Sequence, residues 1–63
     1  MEYEVSLEID GVTYIAICMQ HGDELVVFLP DGTERRTTLR GLDPEHAAKS
    51  HLRGYIHALK HKG

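Results

Sequence analysis

Glu2-Tyr3-Glu4-Val5-Ser6-Leu7-Glu8-Ile9 alternates polar and apolar without a fault and then runs straight into Asp10-Gly11. Successive side chains of a strand point to opposite faces, so this period-two run specifies a strand with one buried face. Asp-Gly supplies the two positive φ angles of a type I′ turn, so the chain doubles back through a two-residue loop. The chain therefore opens with a β-hairpin, which is not stable alone and needs further strands or a helix against its apolar face.

The remaining elements follow from local signals. The second strand runs from Val12 to Met19, and Gln20-His21-Gly22-Asp23 reads as a four-residue turn. The third strand, Glu24 to Leu29, is rich in β-branched and aromatic residues. Pro30-Asp31-Gly32 then turns the chain, and Thr33 to Leu39 makes a fourth strand polar enough for a sheet edge. Asp43-Pro44-Glu45 opens a helix: Asp43 caps free N–H groups, Pro44 suits the first helical position, and Glu45 complements the positive helix end. The helix should continue to Lys60 or His61, with a basic last turn. The expected architecture is α+β: a four-stranded antiparallel β-meander with one C-terminal helix on one sheet face. Residues 1–63 make one domain.

Turn lengths propagate a register. The Asp10-Gly11 loop sets Ile9 opposite Val12 and Cys18 opposite Tyr3, and a four-residue loop at 20–23 sets Cys18 opposite Leu25 and Ala16 opposite Val27. One face then carries Tyr3, Val5, Leu7, Ile9, Val12, Tyr14, Ala16, Cys18, Leu25, Val27, Leu29 and Leu39. The helix supplies a matching stripe at Ala48, Leu52, Tyr55, Ile56 and Leu59, spaced three and four apart. These two surfaces are the expected core.

The other face is polar at its edges, with Glu2, Glu4, Ser6 and Glu8 on the first strand and Glu34, Arg36 and Thr38 on the fourth. Its centre is apolar: Ile15, Ile17, Met19, Val26 and Phe28 all point there. A solvated face of an antiparallel sheet should be polar at such sites. One helix covers one face, so this patch is expected to meet a second copy of the chain, as a homodimer, or another protein. In the dimer the acidic first strand of one copy would lie near the basic fourth strand of the other. A β-bulge at Gly22 or Gly32, or the loop at 39–43 folding over the patch, would remove the need for a partner.

Length and composition set further bounds. A chain of 63 residues buries only about 60% of its unfolded surface, so its core is marginal without a staple. Cys18 is the single cysteine and cannot form an intrachain disulfide; a lone apolar thiol suits the reducing cytoplasm. No segment approaches a membrane span, and the N-terminus lacks the basic and apolar regions of a secretory signal.

Charge divides the chain. Residues 1–32 carry seven acids and no Lys or Arg, whereas residues 33–63 carry all seven bases against three acids. Arg35, Arg36 and Arg40 on and after the fourth strand, with Lys49, Arg53 and Lys60 on the helix, form an alternative nucleic-acid-binding surface. The net charge of −3 and the lack of an aromatic among these bases argue against it.

Enzymatic chemistry and cofactors are not expected. Cys18 points into the core, and no nucleophile elbow, phosphate-binding loop or glycine fingerprint is present. His57 and His61 are four apart on the helix, but a third metal ligand is lacking and Arg53, Lys60 and Lys62 flank them. Ser50, Gly54 and Ala58 are also four apart; such small residues allow close approach of a second helix or of the sheet. Residues 28–59, with Phe28, Pro30-Asp31-Gly32, Thr37, Leu52-Arg53, Ile56 and Leu59, resemble the second half of small mRNA-interferase toxins with a double-stranded-RNA-binding-like fold. That family begins with a helix and carries an active histidine in its middle strand. This chain begins with a strand and places His21 in a turn, so the resemblance is not adopted.

Overall fold

A computed structural model describes residues 1–61. Four strands, β1 (Glu2–Ile9), β2 (Val12–His21), β3 (Glu24–Phe28) and β4 (Glu34–Thr38), form one antiparallel sheet in the order β1-β2-β3-β4. Helix α1 (Pro44–Lys60) follows and packs on β1, β2 and β3. The fold is the expected α+β meander with one helix.

The first hairpin has the register its turn dictates, from Ile9 opposite Val12 to Glu2 opposite Met19. Asp10 and Gly11 have φ of 55° and 78°, as a type I′ turn requires. The pairing continues one step further, where the Gln20 N–H donates to the Met1 carbonyl at 2.8 Å.

The second hairpin differs from the expected register. β2 runs to His21, and the loop is the two residues Gly22-Asp23, so Cys18 faces Val27 and Gln20 faces Leu25. Gly22 has φ of 61° and Asp23 has no positive φ, the pattern of a type II′ turn. The tight turn carries β2 two residues further, to His21, while β3 begins at Glu24 as expected. A shift of two preserves side-chain parity, so every residue keeps its expected face. The β2–β3 and β3–β4 ladders carry no extra residue, and the one bulge is confined to the β3–β4 loop, where Gly32 at φ of 89° donates to the Leu29 carbonyl at 2.9 Å, so no face is flipped.

The core is one-sided. Val5, Ala16, Cys18, Leu25, Val27, Leu29 and Leu39 are buried with Ala48, Leu52 and Ile56 of α1. Tyr3, Leu7, Ile9, Tyr14, Ala47 and Tyr55 pack around them. Two expected members lie outside: Val12 and Leu59 are each 48% exposed. Val12 flanks the hairpin tip at the end of the sheet, and Leu59 lies on the flank of α1 turned toward the β3–β4 connection.

Two local expectations are also corrected. Asp43 occupies the N-cap position, but its side chain makes no capping bond; the first contact is the Ala47 N–H donating to the Asp43 carbonyl at 3.0 Å. Ser50, Gly54 and Ala58 are exposed, and a Cβ on Gly54 would meet nothing within 4 Å. The small residues therefore do not serve close helix-on-sheet packing.

The link from β4 to α1 is fastened to the second hairpin. The Leu39 N–H donates to the Asp23 carbonyl at 2.7 Å, and the Arg40 N–H donates to both Asp23 carboxylate oxygens at 3.1 Å. Arg40 and Gly41 then take φ of 51° and 83° to reverse the chain. Leu39 is thereby held in the core, while Leu42 is 61% exposed.

Candidate protein-interaction face

The sheet face opposite α1 is built by strand alternation. Ile15, Ile17 and Met19 project from β2, and Val26 and Phe28 from β3. Ile17 lies opposite Phe28, and Met19 lies opposite Val26. Ile17, Val26 and Phe28 are half-buried, while Ile15 and Met19 remain 47% exposed. The face thus brings all five expected residues into one patch, two strands wide.

Charged residues border it. On the β1 side stand Glu4, opposite Ile17, and Glu2, opposite Met19, with Glu8 further along the strand. On the β4 side stand Glu34, opposite Phe28, and Arg36, opposite Val26. Arg36 bonds Glu34 through Nε at 2.9 Å and approaches Glu24 at 3.9 Å. Among the described residues, Glu2, Glu4 and Glu8 have no ion-pair partner within 4.0 Å.

The expected basic strand does not materialise on this face. Arg35 pairs with Val27, which is a core residue, so its side chain lies on the helix side. Arg40 lies beyond β4 in the turn. Adjacent strand residues project oppositely, so Arg35 and Arg36 cannot share a surface. With His21 neutral, the outer face carries five glutamates against Arg36, a formal charge of −4.

The alternative nucleic-acid surface is divided for the same reason. Arg36 is on the outer face; Arg35 is beside α1; Arg40 is at the turn. On α1, Lys49 bonds Glu45 at 3.1 Å, and Lys60 bonds Asp10 at the first hairpin tip. Arg53 is exposed on the helix. The six bases therefore do not assemble on one face.

Other groups behave as structural residues. Burial pushes the Cys18 thiol up, which holds it protonated. Burial also raises the Tyr3 hydroxyl, helped by Cys18, Asp43 and Glu45 nearby. Asp31 accepts from the Thr33 N–H at 3.0 Å and its hydroxyl at 2.6 Å, which lowers its pKa and closes the β3–β4 turn. An open cleft of about 250 Å³ lies between this turn and α1, lined by Asp31, Arg35, Tyr55, Ala58 and Leu59. The His57 and His61 rings lie 4.3 Å apart. Among the described residues, no three His, Cys, Asp or Glu side chains gather to hold a metal, and no helix is long and apolar enough to cross a membrane.

Comparison of the chain with protein families, curated proteins and solved structures returns no match.

Proposed function

We propose that this domain is a non-enzymatic interaction module, completed by protein packed on its outer sheet face. The observation that carries the reading is the continuous patch of Ile15, Ile17, Met19, Val26 and Phe28 on a face that α1 leaves open. A sheet apolar on both faces is stable when both are covered, because exposed apolar surface is unfavourable in water. Small size strengthens the point, since a 63-residue chain has little other apolar surface to bury. The occupant is protein, either a second copy, giving a homodimer, or a different chain. The buried free thiol fits work in a reducing compartment such as the cytoplasm.

A photo-crosslinker at position 15 tests the reading in the cell that makes the protein. It should give a discrete protein adduct, while the same group at position 50 on the exposed flank of α1 should not. Ile17→Glu should remove the adduct from position 15 and leave the chain folded by circular dichroism. If Ile17→Glu unfolds the isolated domain, that side chain is core and the reading fails.

A further inference from the structure

We infer that the occupant of the outer face is a cationic amphipathic helix of another protein; the inference rests on that face being an interaction surface. Three features of the face carry it.

The first is charge. The outer face carries −4, while the rest of the chain sums to +1. A second copy packed face to face would bring two such faces together, and each Arg36 is already engaged by Glu34 and Glu24 of its own chain. Like charges at a contact oppose association, whereas a basic partner is attracted. The second copy's own helix does not fit either. Its exposed surface presents His46, Ser50, Arg53, Gly54, His57 and Ala58 with Leu59 as the one large apolar side chain, which is no apolar stripe.

The second is width. The apolar patch occupies β2 and β3 only, so it is about 10 Å across at about 4.8 Å between strands. An α-helix is about 10–12 Å in diameter and matches it. A sheet of three or more strands would lay its flanks over the charged edges.

The third is spacing. Ile15 to Met19 spans about 13 Å along β2, the length of roughly nine helical residues. Glu2 and Glu4 are about 6.7 Å apart along β1, close to the rise of about 6 Å between helix positions i and i+4. A helix lying along the strands would set an apolar stripe on the patch and one row of Lys or Arg over Glu2 and Glu4 of β1. The result is a three-layer sandwich in which the partner helix mirrors α1.

Fluorescence anisotropy with two designed helical peptides tests the inference. Both carry one leucine stripe; one has lysines flanking the stripe and the other has glutamates. The domain should bind the lysine peptide, with affinity falling several-fold as salt rises. The double variant Glu2→Lys with Glu4→Lys should weaken binding about tenfold, and Met19→Glu or Ile17→Glu should abolish it. Equal binding of the glutamate peptide, binding that survives Met19→Glu, or no binding of the lysine peptide would overturn the inference. A concentration-dependent dimer in sedimentation that Met19→Glu dissociates would make the second copy the occupant. That outcome overturns the cationic helix and leaves the outer face an interaction surface. Unfolding by both Met19→Glu and Ile17→Glu would overturn both.

Discussion

Ile17 and Phe28 stand opposite one another across β2 and β3, at the centre of the sheet face that α1 does not cover. Their immediate neighbours, Cys18 and Val27, are also opposite one another and are wholly buried under α1. One step along each strand thus separates the packed side of the sheet from the open side.

That contrast predicts a split in mutational cost. Ile15→Thr on the open face should change the unfolding free energy by less than about 1 kcal/mol. Leu25→Ala on the closed face should cost about 2–5 kcal/mol, because it leaves a cavity under α1. Urea denaturation of both variants checks the difference, and equal costs would show that the open face is packed.

Gly54 offers a stabilising change. It is exposed inside α1, and a Cβ there meets nothing. Gly54→Ala should raise stability by about 1 kcal/mol, by removing the entropic penalty of glycine in a helix. A fall in the thermal midpoint would mean that the position touches something.

The Asp23–Arg40 contact predicts a pair of effects. Asp23→Ala removes the acceptor for the Arg40 N–H and should cost about 1 kcal/mol. Arg40 has φ of 51°, so Arg40→Gly should not destabilise, while β-branched Arg40→Val should cost about 1–2 kcal/mol. Chemical denaturation of the three variants measures the order.

Asp10 and Lys60 tie the hairpin tip to the end of α1 and give a pH signature. The Lys60 bond, then its charge, lowers the Asp10 pKa. A carboxylate lowered in the folded state stabilises above its unfolded pKa, near 3.9, and loses that contribution as pH falls through the folded value. The bond to Asp10 raises the Lys60 pKa, so its contribution is complete below the unfolded value and lost as pH rises through the folded one. The midpoint difference between the native chain and Asp10→Asn should therefore be largest near neutrality. It should shrink below about pH 4 and again in strong alkali. A difference independent of pH would rule out the ion pair as its source.

Cys18 should resist thiol reagents in the folded domain. It is fully buried and its pKa is raised, so labelling at pH 8 should follow global unfolding. Native-state labelling as fast as that of a free thiol would place Cys18 at the surface.

The second hairpin was legible in principle. Gly22-Asp23 is the Gly-X pair of a type II′ loop, yet Gln20 and His21 are polar and look like loop residues. Backbone hydrogen bonding outweighed side-chain polarity there: β2 gains two ladder pairs by running on to His21. Val12 and Leu59 belong to the apolar faces by period yet stay exposed, because period identifies the face of a residue and not whether the opposing element reaches it.

The amino-acid sequence by itself determined which side chains share a face, because period-two alternation survives a two-residue shift in pairing. It determined the first hairpin in full, since Asp10-Gly11 allows one tight loop. Only the tertiary structure decided how the charges pair. Alternation already parts Arg35 from Arg36, but only the packed chain sets Arg36 against both Glu34 and Glu24 and brings Lys60, at the end of α1, to Asp10 at the first hairpin tip. Only the tertiary structure, too, decided that the patch around Ile17 and Phe28 stays open. The loop at 39–43 does not fold over that patch: Asp23 holds its start, and Leu39 is buried with the core on the α1 side.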